Sequence, residues 1–220
     1  MLRGLLKRKI RDEYSSEFQE RSIHQCDYVV VDTELTGLDQ KNASIVSIGA
    51  VKMKGTRIIM SDIFYEIVRP SSEITAESIL IHGITPTETA GKPSIGSVIS
   101  DFLVFCKGCV IAGHFVVLDT KVINNELKKH YGCTLDNPII DTYKIYDWLN
   151  QNEENFSRHF LEDREKDLFS IAKNYEIRTV EAHNALMDAF ITAQILQRFL
   201  VCLPILGIKT IKALLRIGGV

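Results

Sequence analysis

Hydrophobic positions in the first third of the chain gather into three β-rich runs: YVVVD from Tyr28, SIVSIGAVKM after a loop containing Gly37 and Asp39, and RIIMSDIFYEIVRP. The short connections between them predict an antiparallel meander. Over residues 94–106 the period changes. Ile95, Val98, Ile99, Phe102 and Phe105 recur at helical spacing and can share one face, which predicts a helix. CVIAG then reads as a buried strand, DTKVINNELKKHY as a helix, and NPIIDTYKIY as a strand running into a turn or helix, so the pattern has become βαβ. Further on, DLFSIAKNY predicts a short helix. Leu186, Ala189, Phe190, Ala193, Leu196 and Leu200 mark a longer amphipathic one over residues 184–200. Three strands followed by alternating helix and strand predict an α/β fold with a mixed sheet flanked by helices.

The composition is that of an ordinary soluble chain. Of 220 residues, 45% are hydrophobic and 25% charged, enough for one sizeable core and neither disordered nor fibrous. Residues 1–25 read as a basic and polar arm carrying Arg3, Lys7, Arg8, Lys9 and Arg11, residues 26–203 as the globular domain, and residues 204–220 as a C-terminal extension. That extension, ending in GIKTIKALLRIGGV, suits a packed terminal helix or a docking segment. The opening MLRGLLKRKIR puts charges where an export signal needs apolar residues, and the run FLVCLPIL is too short to span a bilayer, so no membrane association is expected. The net charge of −2 makes any phosphate binding local. Among the five cysteines, Cys106 and Cys109 have the spacing of a zinc half-site without a second pair to complete it. Reduced thiols in a cytoplasmic protein are the expectation.

The chemistry starts at the end of the first strand. Asp32 and Glu34 are two apart, and strand geometry sends positions i and i+2 to one face. Two carboxylates pointing together repel unless a cation or a proton intervenes, and a hard divalent metal is a natural partner. Acids at strand ends are also often merely solvated, so this pair needs company. Asp119 stands near the start of the helix after CVIAG and His114, where a carboxylate would equally suit the positive end of the helix dipole. In EAHNALMDAF, His183 and Asp188 are five apart, not the four that shares a helical face. The spacing places His183 before the helix, with Asn184 as its cap and Asp188 in the first turns facing the sheet.

In order, VVDTELTGL, GHFVVLD and HNALMDA resemble the three motifs of the DnaQ-like, or DEDDh, exonuclease superfamily, whose members include the proofreading epsilon subunit of bacterial DNA polymerase III. The likeness runs over residues 27–200, and IHGIT at residues 81–85, IIDTYKIY and DLFSIAKNYEI add to it. It implies a ribonuclease-H-like fold with a five-stranded mixed sheet and a 3′ to 5′ exonuclease that uses two divalent cations, Mg²⁺ or Mn²⁺. Asp32, Glu34, Asp119 and Asp188 would be the metal ligands and His183 the general base, since a histidine can take a proton near neutral pH. It further implies that Thr36, Gly37 and Leu38 line the pocket of the terminal nucleotide, with His82 and His114 beside it, and that Asp141 is structural. The expected substrate is a single-stranded or otherwise accessible 3′ end, DNA ahead of RNA, with a polymerase as a partner. RNA trimming and a non-catalytic nucleic-acid-binding module are the alternatives. The chain departs from the family pattern at Phe115, where asparagine is usual, at Leu118, where phenylalanine is common, and at Leu35, where threonine is frequent. Phe115 removes a polar group near the terminal nucleotide.

Overall fold

The computed structural model describes residue 14 and residues 16–37, 43–152, 166–179 and 183–220. Most of the N-terminal arm and Leu38 lie outside these residues. After a single turn of helix, α1 (Ser16–Gln19), the chain forms β1 (Asp27–Leu35), β2 (Ile45–Lys54) and β3 (Arg57–Ile67). Short helices α2 (Ala76–His82) and α3 (Pro86–Thr89) lead into α4 (Ile95–Phe105), β4 (Val110–Gly113), α5 (Val117–Tyr131), β5 (Ile139–Asp141) and α6 (Thr142–Gln151). The chain closes with α7 (Leu168–Asn174), α8 (Ala185–Cys202), a 3-10 turn at Leu203–Leu206 and α9 (Ile211–Gly218).

The sheet order is β3-β2-β1-β4-β5. β1 pairs antiparallel with β2, and β2 with β3, whereas β1 to β4 and β4 to β5 are parallel. This is the ribonuclease-H-like mixed sheet that the motifs imply. β1 lies at its centre, which explains its unbroken apolar YVVV run: a strand covered on both faces has no polar side to alternate with. Tyr28 and Val30 face one core, shared with α6, α7, α8 and α9, while Val29 and Val31 face the other, shared with α4 and α5. Each fully buried aliphatic side chain contributes about 1.5–3 kcal/mol, so these two cores can carry an unfavourable polar site at the sheet end.

Helix α8 has ten residues out of solvent, from Ala185 through Leu200. By length and hydropathy alone the stretch Ala185–Leu206 could cross a membrane. Its packing against the sheet accounts for that apolarity instead. Residues of the two proposed appendages also pack on the domain: Phe18 and Ile23 enter the larger core beside Ile211 and Leu214 of α9. The Ile23 amide donates to Lys209 and the Ile211 amide to Arg21, tying the two ends together. All five cysteines are free, and Cys106 and Cys109 are buried.

Candidate active site

Three elements converge where β1 outruns its parallel neighbour. β4 pairs with β1 only from Tyr28 to Val30, so the last residues of β1 are open on that side. Asp32 and Glu34 continue the Tyr28 and Val30 face towards α8. A register shift after Glu34 marks a bulge, a device that re-aims side chains at strand ends.

The start of α8 lies directly on β2. A Cβ at Gly49, the residue paired with Asp32, would stand 2.2 Å from the backbone of Ala185 and Leu186. Only glycine lets the helix come this close, and any side chain there would lift Asp188 away from Asp32. Asn184 caps the helix, its side-chain oxygen accepting from the Leu186 and Met187 amides, and its Nδ2 donates to the Tyr65 hydroxyl on β3 at 3.3 Å. His183 precedes the cap in a left-handed conformation, φ 64°, exposed, with its ring edge-on to Phe169 at 5.7 Å.

Asp32, Glu34 and Asp188 each offer an oxygen, and the three atoms lie within 4.8 Å of one another. This is the one such grouping among the described residues, so Cys106 and Cys109 form none. Asp119 arrives from the opposite layer, around the end of β4, in the first turn of α5. It does not cap its helix: its carboxylate accepts from the Thr33 hydroxyl at 2.6 Å, and Thr33 points to the α5 side of the sheet. Asp119 is buried, and its charge is felt by Asp32. Both helices therefore turn their positive ends to the cluster.

The electrostatics are those of an anionic site without enough counter-charge. Burial, then Asp119, Glu34 and Asp188, hold the Asp32 carboxyl well above the carboxylate range. Burial, with Asp188 and Asp119 nearby, pushes Glu34 up to about 7. Burial pushes Asp119 up to about 7 although the Thr33 hydrogen bond opposes it. It raises Asp188 to about 6 against the opposing effect of His183. One oxygen of Asp188 is buried with no hydrogen-bond partner. An all-oxygen donor set, mutual repulsion and an orphaned carboxylate oxygen fit a hard divalent cation.

A stability prediction follows from the sign of these shifts. A carboxyl whose folded pKa is raised is favourable to folding below its unfolded value near 4 and loses that contribution as pH rises through the folded value. For Asp188 that window runs from 3.8 to about 6, and its charged form costs about 2–3 kcal/mol, at 1.36 kcal/mol per unit. In metal-free protein, Asp188→Asn is expected to raise Tm by several degrees at pH 8, at about 2–4 °C per kcal/mol. The gain should shrink at pH 5, and Mg²⁺ should stabilise the wild type but not the variant. An Asp188→Asn increment equal at both pH values would refute this origin.

The remaining expected residues are placed as follows. Thr36 is buried, its hydroxyl bonded to Ser72 and accepting from the Ser44 amide, while its carbonyl accepts from Ser78 and Thr75, so it ties the end of β1 to residues 72–78. Gly37 follows it, against Thr75. His82 accepts from the Ile84 amide through Nδ1, and its buried Nε2 is unpartnered; burial and His183 lower its pKa. His114 is committed through both ring nitrogens, to the Lys166 carbonyl at 2.9 Å and the Thr142 hydroxyl at 3.0 Å. Asp141 caps α6 by accepting from Tyr143 and also accepts from the Phe115 amide. Thr33, Gly49, Tyr65 and Phe169 were not expected at the site. A glycine inside an apolar strand run was the one signal among them, since it marks close approach of another backbone.

Residues 29–196 match the Exonuclease family. The chain is 31% identical over 173 residues to the DNA polymerase III subunit epsilon of Aquifex aeolicus, which covers 79% of this chain and 80% of that protein. It belongs to the DnaQ-like exonuclease family. The exonuclease is also 33% identical over 187 residues to the PolC-type DNA polymerase III of Caldanaerobacter subterraneus, covering 84% of this chain but spanning only 12% of the relative. Among solved structures it is similar to E. coli Exonuclease I in complex with a dT13 oligonucleotide, with TM-score 0.71, 18% identity and coverage of 83% of this chain and 43% of that one. Exonuclease X in complex with 5′ overhanging duplex DNA gives TM-score 0.61 at 22% identity, covering 79% of this chain and 91% of the other. At these identities the likeness speaks for the fold.

Proposed function

We propose that this exonuclease removes nucleoside monophosphates from the 3′ end of DNA, with Asp32, Glu34, Asp119 and Asp188 holding two divalent cations and His183 acting as general base. The observation that carries this reading is the trio of oxygens from Asp32, Glu34 and Asp188 within 4.8 Å, beside an orphaned Asp188 oxygen, in a chain of this family. Those three residues would hold one ion, and Asp32, which also feels the charge of Asp119, would help to hold a second with it. Bound Mg²⁺ or Mn²⁺ would supply activation of the attacking water and stabilisation of the leaving 3′ oxygen. Thr33 keeps Asp119 aimed inward. Gly49, Asn184 and Tyr65 keep the start of α8 seated, and with it Asp188. His183, exposed beside Asp188, is free to receive the proton released by the water. His82 would adjoin the terminal nucleotide. His114 acts one step back, joining β4 to the segment before α7.

DNA is favoured because the relatives are DNA polymerase III chains. A polymerase partner, or a polymerase that carries this domain, fits the same likeness, and free thiols suit a reducing cytoplasm. The test is product analysis on matched 5′-labelled DNA and RNA oligonucleotides with single-stranded, paired and mismatched 3′ ends. A ladder of shortened DNA, dependent on Mg²⁺ or Mn²⁺, is expected, with unpaired ends degraded first. Preferential trimming of RNA would move the assignment to the exoribonuclease alternative, and binding without turnover in either metal to the non-catalytic one.

A further inference from the structure

Phe115 is a bulky residue in a backbone conformation that bulky residues avoid. Its φ is 54°, a region where side chains other than those of Gly, Asn and Asp are strained. The strain is held by Asp141, whose Oδ1 accepts from the Phe115 amide at 3.1 Å and the Tyr143 amide at 2.9 Å. A single carboxylate thus sets the positions of both aromatic residues. The Phe115 ring lies 4.7 Å from that of Tyr143 with planes 34° apart, and His114 braces both edge-on, at 4.7 and 6.1 Å. His114 is itself immobilised by its two hydrogen bonds. Yet Phe115 remains 41% exposed, and Val117 and Leu118 extend the apolar rim at 49% and 41%. A phenylalanine kept only for packing would be covered.

The neighbourhood says what the ring faces. One turn further along, the same helix start carries Asp119, and the charge of Asp141 is felt at Asp119, so the rim adjoins the carboxylate cluster. The Lys166 ammonium sits 5.9 Å from the Tyr143 ring centroid, on an exposed side chain. Aromatic faces beside a cation match a nucleobase beside its phosphate.

We infer that Phe115 and Tyr143, with Lys166, form a stacking shelf for an unpaired base within the last two positions of a nucleic-acid 3′ end. This rests on reading the carboxylate cluster as the place where a nucleic-acid 3′ end is received, whether or not it is hydrolysed there. The shelf selects frayed or single-stranded ends, because a base held in a duplex stack cannot also lie on Phe115. It replaces a polar contact of the usual family pattern with an apolar, sequence-tolerant one.

The test uses single-stranded oligonucleotides with 2-aminopurine at the terminal or penultimate position, bound in Ca²⁺, alongside matched oligonucleotides abasic at those positions. Wild-type protein is expected to quench the probe at one of the two positions and to bind the corresponding abasic strand about tenfold more weakly, the scale of one base stack. Phe115→Ala should abolish both the quenching and the abasic penalty, and Phe115→Trp should restore them. The wild-type abasic comparison requires no variant to fold. Equal wild-type affinity for intact and abasic strands, or quenching unchanged in Phe115→Ala, would overturn the shelf. Turnover of the same oligonucleotides in Mg²⁺ scores the nuclease reading separately: cleavage without Phe115-dependent quenching removes the shelf alone. Quenching without cleavage in Mg²⁺ or Mn²⁺ removes the nuclease reading and leaves the shelf standing.

Discussion

Asp32→Asn is expected to lower kcat for 3′-end hydrolysis by about 10³-fold or more, with no recovery at high Mg²⁺. Of the four carboxylates, Asp32 is the one that feels the charge of all three others. Glu34 and Asp188 lie with it in the compact trio, and Asp119 approaches from the other face of the sheet. Its loss would therefore damage both proposed ion positions at once. Metal-ion stabilisation of transition-state charge is worth several kcal/mol, and each 1.36 kcal/mol is about tenfold in rate, which sets the size of the effect. The amide is nearly isosteric and relieves repulsion in the metal-free protein, so the variant should fold and melt at a higher temperature than the wild type at pH 8. Single-turnover rates read alongside thermal melts with and without Mg²⁺ would check it. Activity within tenfold of the wild type in a folded Asp32→Asn protein would exclude Asp32 as the shared ligand.

Much of this was legible in the chain, and the parts that were not have a common cause. The meander, the βαβ switch and the long C-terminal helix are written in local periodicity, and the structure forms each of them. The Asp32 and Glu34 pairing needs only strand geometry. The five-residue step from His183 to Asp188 placed the helix cap at Asn184, and that side chain does accept from the Leu186 and Met187 amides. What could not be read were contacts between layers. Thr33 and Asp119 are 86 positions apart and meet only because β4 stops early. Gly49 inside an apolar strand run signals a close approach, but not that the backbone of Ala185 is what approaches. Thr36, expected to line a pocket, is buried among Ser44, Ser72 and Ser78, because its hydroxyl and carbonyl tie the end of β1 to the approach to α2. Leu38, expected to line the same pocket, lies outside the described residues. The long helix reads as amphipathic in sequence, but it is apolar over most of its length, and its burial against β1 and β2 accounts for that.

His183→Ala should separate catalysis from metal binding. A positioned general base contributes about 10²–10⁴-fold, so kcat is expected to fall by that factor while the stabilisation by Mg²⁺ persists, since Asp32, Glu34 and Asp188 are untouched. The contrast with Asp32→Asn, which should lose both, is the useful readout. His183 also sits where structure and chemistry could be confused: φ is 64°, its ring meets Phe169, and it influences Asp188. His183→Gly controls for the first of these, because glycine adopts that conformation without strain. If the histidine served only to shape the turn, the glycine variant would retain activity near that of the wild type. If it is the base, alanine and glycine variants should be equally slow, and exogenous imidazole should raise both rates by supplying the missing proton acceptor. A His183→Ala protein that keeps its Mg²⁺-dependent melting shift and its wild-type kcat would assign the proton to bulk water and leave the four carboxylates to act without a base.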